Sequence, residues 1–274
     1  MPEKKWSQQR EGDFVFFHPH WPSGAIGAVS TRYGGVSSRP YDSLNLAFHV
    51  QDEEARVWEN RERLTQTLGL SSSQWATVNQ VHGTKVHWIE KEECHDFARR
   101  EGIELLDGDG IATEVPSLPL AVFGADCALL LYYDPIDRRI GAVHAGWRGT
   151  VAGLPALMVQ EFKQRGSLID NIHVAIGPAI GPCCYPVGPE VVAAFKEKWS
   201  FADQLFSPED KDGTVRLHLL KAIELQLEEV GLLGEQVSSL DLCTSCHDDI
   251  FYSYRRAHGQ TGRHGALIML TEER

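Results

Sequence analysis

The sequence predicts an α/β fold in which helices flank mixed β-sheets, as a single layered domain over residues 1–274. Two observations lead to this prediction. Strand-like and helix-like segments alternate in the middle of the chain and strand-like segments cluster elsewhere, which is typical of layered α/β domains. The chain has 274 residues, of which 42% are hydrophobic. A chain of this length can bury enough surface to fold without disulfides or a structural metal.

Strands are predicted at short apolar runs that end at turn residues. The central ones, ALLLYY at 128–133 and IGAV at 140–143, are apolar throughout. Loops are predicted at 31–35 and 37–43 from their glycine, proline and serine content. The predicted strands are 14–17, 25–30, 119–123, 128–133, 140–143, 172–176, and about 237–242, 250–254 and 266–270.

Helices are predicted where apolar residues recur at helical spacing between recognisable ends. The first covers about 52–68 and begins with three acidic residues, which suit the positive end of a helix. A second helix is predicted over 150–165. A third begins at Pro189, a residue favoured in the first turn, and a fourth covers about 217–230.

Composition argues against two classes of partner. The chain has 26 basic and 38 acidic residues, a net charge of −12, whereas a protein that binds a nucleic acid backbone is normally basic. Only a local pair such as Arg255 and Arg256 suits a single phosphate. No apolar run reaches the roughly 18 residues of a membrane span, and no signal peptide is recognisable. We therefore expect a cytoplasmic protein whose six cysteines are thiols, metal ligands or catalysts.

Three side chains form a candidate metal site. His82 lies in NQVHG, Cys127 in GADC and His144 in VHAGWRG, each at a predicted strand end beside small residues. Two imidazoles and one thiolate suit zinc, and three protein ligands leave a fourth position open, as in catalytic sites. The alternative is that these residues are packed or hydrogen-bonded, because their spacing is long and matches no short metal motif.

Polar residues in loops are candidates for binding an anion. Arg148 follows His144 by four residues, and a helix that starts near Thr150 would point free backbone N–H groups at the same place. Arg32 and Asn45 lie in predicted loops. Phosphate or a sugar is the natural partner if these side chains converge, and a surface position is the alternative for each.

Acidic residues and a cysteine pair leave further possibilities open. Asp107, Asp109 and Asp126 either accept backbone N–H groups in turns or serve as a general base or as an orienting partner of a ligating histidine.

The sequence CTSCH matches a haem attachment pattern, but no export signal is seen. Cys243 and Cys246 also suit a redox dithiol or one half of a four-cysteine zinc site. Because Cys183 and Cys184 are adjacent rather than two residues apart, buried thiols are the expectation.

The motifs together resemble the laccase-domain or polyphenol oxidase-like family, also called the YfiH/YlmD family. They are STRYGGVSSRPYDSLNLA, NQVHG, ADC, VHAGWRGT, IGPAIGPCCYPVG, CT, FYSYRR and TGR, and they run through most of the chain. The resemblance implies one zinc ion held by His82, Cys127 and His144. It also implies phosphorolysis of adenosine, inosine and S-methyl-5'-thioadenosine, and deamination of adenosine. Arg148, with Arg32 and Asn45 as further candidates, is expected to be catalytic.

One departure from the family is visible, and three competing functions remain. The family commonly has glutamate where this chain has Pro186, so no carboxylate role is assigned there.

A copper-dependent polyphenol oxidase is one competing function, but copper is expected to bind only adventitiously. His18-Pro19-His20 is the single HxH pair, and a multicopper oxidase needs several. The second is a metal-free cysteine hydrolase with Cys127 as nucleophile, such as one that edits a cell-wall precursor. The third is a binding protein with structural zinc. A monomer is favoured, with purine nucleosides and phosphate as partners.

Overall fold

The computed structural model of the protein describes residues 5–72, 75–90, 105–210 and 213–272. The helices are α1 (Glu54–Leu68), α2 (Trp147–Ala152), α3 (Leu154–Gln164), α4 (Pro189–Lys198) and α5 (Leu219–Glu229). The strands are β1 (Trp6–Glu11), β2 (Phe14–Pro19), β3 (Ala25–Ser30), β4 (Val86–Ile89), β5 (Gly110–Thr113), β6 (Leu120–Gly124), β7 (Ala128–Asp134), β8 (Arg139–Ala145), β9 (His173–Ile176), β10 (Pro186–Val187), β11 (Val215–Arg216), β12 (Val237–Ser239) and β13 (His264–Leu270). The predicted mixed α/β class is confirmed.

Two large sheets lie at the centre of the fold. The first has five strands in the order β1-β2-β3-β13-β6, all antiparallel. The second has six strands in the order β12-β9-β7-β8-β5-β4 and is parallel only at its two edges, where β12 pairs with β9 and β4 with β5. Strands β10 and β11 form a small separate pair.

Strand β7 shows why the central strands are apolar throughout. Alternate side chains of a strand point to opposite faces of its sheet. Leu129 and Leu131 pack in the apolar cluster shared with β13 and β6, whereas Leu130 and Tyr132 pack in the cluster shared with α3 and α5. Both faces of the six-stranded sheet are therefore covered. The α1 side chains Leu64 and Leu68 cover the outer face of the five-stranded sheet, so the layers run helix, sheet, sheet, helices.

Three predicted elements differ from the structure. The helix predicted over 150–165 is two helices, because Gly153 adopts a left-handed φ of 94° and separates α2 from α3. The predicted strand 250–254 is not a strand, although Phe251 and Tyr252 are buried, because Arg256 takes the Phe251 carbonyl oxygen that a ladder would use. The strand predicted over 237–242 ends at Ser239. The sequence does not predict strands β1, β4, β5, β10 and β11.

None of the helices in the described part of the chain is both long and apolar enough to cross a bilayer.

His264, the first residue of β13, is fully buried beside the ring of Phe251. Neither of its ring nitrogens has a hydrogen-bond partner among the described residues. Burial, together with the positive charge of Arg263, lowers the pKa of His264 to about 3. The folded protein therefore keeps this imidazole neutral at a pH where the unfolded chain would protonate it.

This depressed pKa predicts acid sensitivity. Stability is fully present above the unfolded histidine pKa of about 6.5 and falls as the pH drops toward 3, because only the unfolded state gains the proton. Between pH 7 and pH 5 the wild-type protein should lose about 2 kcal/mol more unfolding free energy than a His264→Leu variant. Urea unfolding at both pH values measures this, with the exposed His20→Leu as control. Equal losses in wild type and His264→Leu would contradict the assignment.

Candidate metal centre and active site

The fold brings the three predicted metal ligands together. The ligand atoms of His82, Cys127 and His144 all lie within 4.8 Å of one another. The Cys127 Sγ is 3.9 Å from His82 Nε2, and the two imidazole centroids are 4.9 Å apart at nearly right angles. His144 is buried, Cys127 is half-buried and His82 is exposed. The group therefore has one open side.

Strand pairing explains the meeting of residues that are far apart in sequence. Cys127 immediately precedes β7 and His144 lies near the end of β8, and these antiparallel strands pair Leu129 with His144. Antiparallel neighbours place the start of one strand beside the end of the other. His82 comes from the loop before β4, which is held to the same end of the sheet by Asp109.

Asp109 connects two of the three candidate ligands. Its carboxylate lies just before β5 and is fully buried. It accepts hydrogen bonds from the backbone N–H groups of Val81 (3.2 Å), His82 (3.1 Å) and Gly83 (2.6 Å), and from His144 Nδ1 (2.9 Å). Donation from Nδ1 leaves the Nε2 lone pair of His144 for a ligand, the usual arrangement of a metal-binding histidine.

These contacts determine the charge of the Asp109 side chain. Burial raises the pKa of Asp109, but the hydrogen bonds from His144 and from the Gly83 N–H outweigh it, so the pKa lies below the ordinary value. The group is therefore a carboxylate. Asp109 fills two of the three roles that the sequence left open, since it accepts turn N–H groups and orients a histidine.

The backbone at His82 requires this support. His82 has a φ of 61°, in the left-handed region that residues other than glycine rarely adopt. Three successive N–H groups converging on one buried carboxylate hold the loop in that conformation. The strained conformation is consistent with a functional position.

Gly146 allows the ligands to approach the backbone. A Cβ at this position would lie 2.9 Å from His82 Cδ2 and 3.0 Å from Cys127 Sγ, both closer than normal contacts. Any side chain at 146 would therefore displace two of the three candidate ligands. The glycine in HAGWRG is explained by space for these ligands and not by an unusual φ, which is −73°.

The donor set fits a soft or borderline divalent ion, and without one Cys127 and His144 interact as an ion pair. Burial raises the pKa of Cys127, but the charge of His144 and hydrogen bonds from both histidines lower it to about 6. Burial lowers the pKa of His144, but the Cys127 thiolate and the Asp109 hydrogen bond raise it to about 9. Cys127 is therefore a thiolate at neutral pH, the form that binds metals.

Asp126 supports the third ligand as Asp109 supports the other two. It precedes Cys127, has a φ of 99°, and its side chain is buried. Its two carboxylate oxygens accept the Thr244 hydroxyl (2.7 Å) and the Arg255 backbone N–H (2.6 Å). Asp126 thus joins the segment of Cys127 to the segment 244–255.

A cavity of about 420 Å³ opens over the three ligands. Its lining combines aromatic rings with guanidinium groups, a combination that suits a flat ligand carrying negative charge. The aromatic residues are Phe123, Trp147, Tyr185 and Tyr254, and the cationic residues are Arg148, Arg255 and Arg263.

Arg148 lies in this cavity, as its candidate role requires. It is exposed, and its guanidinium carbon is 4.4 Å from the ring centroid of Trp147. The helix that carries it begins at Trp147, not near Thr150 as predicted, so Arg148 is in the first turn. Among the described residues no carboxylate forms an ion pair with it.

Arg32 and Asn45 are not brought to the cavity. Arg32 donates to the Asp42 carboxylate and to the backbone oxygens of Asp42 and Asp248, and it borders a different cavity. Asn45 is fully buried, where it bonds Asp52 and the backbone of Ala47 and accepts the Arg263 N–H at 3.0 Å. Their catalytic roles stay predictions with no contact to the ligand group.

Arg263 is a cavity residue that the sequence did not single out. Burial lowers its pKa, but an arginine remains cationic, and the charge of Cys127 favours that form. Its guanidinium lies 5.5 Å from the ring of Tyr254. The only sequence signal was the TGR motif. Of the pair considered for a phosphate, Arg255 lines the cavity, whereas Arg256 binds three backbone oxygens.

Several further residues of the sequence motifs lie outside the ligand group. Asp107 accepts the Asn79 side-chain amide at 2.7 Å. Pro186 is exposed, and its carbonyl accepts Arg255 Nη1 at 3.2 Å. His18 bonds the Gly27 carbonyl oxygen through Nδ1 on β2. Within the described ranges, the HxH pair therefore contributes nothing to a histidine cluster.

A family model described as "Multi-copper polyphenol oxidoreductase laccase" matches residues 27–271. The chain belongs to this family. The resemblance seen in the sequence motifs is therefore confirmed. The name of this laccase family refers to copper, whereas similar proteins are named purine nucleoside phosphorylases.

The chain is 35% identical to "Purine nucleoside phosphorylase YlmD" of Geobacillus stearothermophilus over 252 residues, which is 92% of each protein. It is 37% identical to "Purine nucleoside phosphorylase" of Deinococcus radiodurans, with 89% of this chain and 88% of the relative covered.

Solved structures agree with this fold. The crystal structure of Bacillus licheniformis hypothetical protein YfiH has a TM-score of 0.90 and 33% identity, and the alignment covers 96% of this chain and 99% of that one. YlmD of Geobacillus stearothermophilus has a TM-score of 0.86 at the same identity, with 97% and 99% covered.

The role of Asp109 predicts a loss of metal affinity on substitution. The carboxamide of Asp109→Asn carries no negative charge, so it holds the three backbone N–H groups and His144 more weakly. Zinc should therefore bind roughly 10- to 100-fold more weakly. Competition with a chelator of known affinity measures this. Asp107→Asn, in the same turn, is the matched control and should bind zinc like wild type. Unchanged affinity in a folded Asp109→Asn protein would contradict the role.

Proposed function

We propose that the protein is a zinc-dependent purine nucleoside phosphorylase that also deaminates adenosine. The observation that carries this proposal is the position of His82, Cys127 and His144 beneath a cavity lined by aromatic rings and three arginines. The proposed substrates are adenosine, inosine and S-methyl-5'-thioadenosine. The names of the relatives support the phosphorolysis, and the deamination rests on the resemblance alone.

Phosphorolysis needs a site for a flat base beside a site for a dianion. A phosphate oxygen forms a bond to the anomeric carbon of the sugar, while the bond from that carbon to the purine nitrogen breaks. The base leaves with the bonding electrons and takes up a proton, and no redox partner is required. The rings of Trp147, Tyr185 and Tyr254 suit the purine, and Arg148, Arg255 and Arg263 suit the phosphate.

The metal-binding residues suit zinc. Cys127 supplies a thiolate, His144 supplies Nε2 because Asp109 accepts from Nδ1, and His82 supplies Nε2 from the open side. When bound, zinc would act as a Lewis acid and make a water molecule more acidic. In deamination water replaces the amino group on the purine ring and ammonia leaves. The open side next to His82 gives the ring access.

A cysteine hydrolase is a second candidate that a specific observation favours. Without a metal, Cys127, His144 and Asp109 form a nucleophile, a base and an orienting carboxylate in hydrogen-bonded order. His82 has no necessary part in such a triad. Copper-dependent polyphenol oxidation is less well supported, because the described residues contain no second histidine-rich group.

The ligands predict a shared loss of activity. His82→Ala and Cys127→Ala should each abolish phosphorolysis and deamination, because each removes one of three metal ligands. Pure protein incubated with adenosine should release adenine and ribose 1-phosphate only with phosphate, and should release inosine without it. His87→Ala, a histidine outside the cavity, should keep full activity. Full activity in His82→Ala would remove the metal from the mechanism.

Metal content separates the two candidates. If the protein is a zinc enzyme, chelation should stop nucleoside turnover, zinc should restore it, and zinc should protect Cys127 from alkylation. If it is a hydrolase, the metal-free protein should keep its hydrolytic activity and should lose that activity when Cys127 is alkylated. Metal analysis, turnover and mass spectrometry of the alkylated protein measure the three quantities. Activity of a metal-free, alkylation-sensitive protein would overturn the zinc proposal.

The arginines predict a specific change in phosphate binding. Loss of one charge-assisted contact costs about 1.5–3 kcal/mol, so Arg148→Gln and Arg263→Gln should each reduce kcat/KM for phosphate by roughly ten- to hundred-fold. Arg63→Gln, which removes an exposed ion pair with Glu59 on α1, is the control. Arg32→Gln should lower the melting temperature and spare phosphate binding. A large rise in the KM for phosphate in Arg32→Gln alone would reverse this assignment.

A further inference from the structure

Four cysteines outside the ligand group described above form a cluster of their own. Cys183 and Cys184 lie in the loop between β9 and β10, and Cys243 and Cys246 lie in the loop after β12. The sequence suggested that the second half of a four-cysteine site was missing. That expectation is wrong, because the fold places the adjacent pair opposite the CxxC pair. The predicted burial of Cys243 and Cys246 is also wrong, because Cys246 is exposed and Cys243 is half-buried.

Backbone pairing fixes the two loops together. Ala179 and Cys243 form an isolated parallel bridge, and the Thr244 N–H donates to the Ala179 carbonyl oxygen at 3.0 Å. Each cysteine pair also lies in a turn closed by a backbone hydrogen bond, Cys184 to Gly181 in one loop and His247 to Cys243 in the other. Main-chain contacts therefore hold the two loops together beside the sulfurs.

The sulfur atoms have the spacing of a metal cage. The Cys246 Sγ is 3.4 Å from Cys183 Sγ and 3.5 Å from Cys184 Sγ, and all four sulfurs lie within 4.8 Å of one another. Tetrahedral zinc with four sulfurs at about 2.3 Å requires sulfur separations of about 3.8 Å. One sulfur near two others, with the fourth close by, suits a shared ion better than separate pairs.

Backbone donors surround the sulfur of Cys243. Backbone N–H groups of Gly181, Ser245 and Cys246 donate to the Cys243 sulfur, the first at 3.2 Å. Gly181 also leaves room for the sulfurs, because a Cβ there would lie 3.1 Å from Cys243 Cβ and 3.3 Å from Cys183 Sγ. Donors aimed at a sulfur stabilise its charged form.

We propose that Cys183, Cys184, Cys243 and Cys246 bind a second metal ion, a zinc ion held by four thiolates. Soft thiolate ligands select zinc among the common divalent ions, and four protein ligands leave no open position, as in a structural site. Binding releases the thiol protons to solvent and needs no oxidant. The site shares no ligand with the group at His82.

This ion would stiffen one wall of the cavity. The cysteine loop also carries Ile180 and Tyr185, which line the cavity. Thr244, next to Cys243, donates its hydroxyl to Asp126, the residue that precedes Cys127. Arg256 donates to the carbonyl oxygens of Thr244 and Ser245 and so fixes the second loop. A structural ion here would connect both loops to the segment that carries Cys127.

Metal counting with two matched variants tests the site. Protein produced with zinc and reductant should contain two zinc ions per chain, and Cys246→Ser and Cys127→Ser should each contain one. The Cys246 side chain is exposed, so its variant should fold. Cobalt loading should give sulfur-to-metal charge-transfer absorption that falls by more than half in Cys246→Ser, since four of the five ligating thiolates are in this site.

The outcomes separate this site from the proposed active site. If Cys127→Ser retains one zinc and Cys246→Ser loses one, the four-cysteine site is supported whatever the nucleoside assay shows. If zinc content is the same in Cys246→Ser as in wild type, the proposal is overturned. A mass two hydrogens lower under non-reducing conditions, with only one zinc per chain, would overturn it in favour of a disulfide.

Discussion

The candidate active site depends on the buried carboxylate of Asp109. It receives three backbone N–H groups from the loop of His82 and the Nδ1 hydrogen of His144. A buried carboxylate is costly unless its oxygens are hydrogen-bonded, and these four donors satisfy it. The same bonds hold the left-handed backbone of His82 and fix which nitrogen of His144 faces Cys127. One charge thus determines the positions of two candidate ligands.

Asp126 is a second buried carboxylate that positions loops, on the other side of the site. Its two oxygens hold Thr244 and Arg255, which are more than a hundred residues away in the sequence. The loops at the strand ends are polar and irregular, so the apolar core between the sheets does not position them. Buried carboxylates with several donors do so, because hydrogen bonds are directional and hydrophobic contacts are not.

The distribution of charge also matters for function. The chain has a net charge of −12, yet Arg148, Arg255 and Arg263 line one cavity. A concave site lined by one sign of charge attracts ligands of the opposite sign. An acidic overall composition is therefore compatible with a local site for one phosphate group. The aromatic residues between the arginines supply a surface for a base.

The sequence by itself determined the fold class, the main strands and helices, and the candidate metal ligands His82, Cys127 and His144. These three residues lie in distinctive motifs, and the apolar runs encode their own burial. The tertiary structure alone decided which polar residues converge. It placed Arg263 in the cavity and Arg32 on Asp42, and it brought Cys183 and Cys184 to Cys243 and Cys246. The residue pattern of a short segment predicts the structure of that segment. Which distant side chains meet depends on strand order and loop paths, and no short segment encodes these.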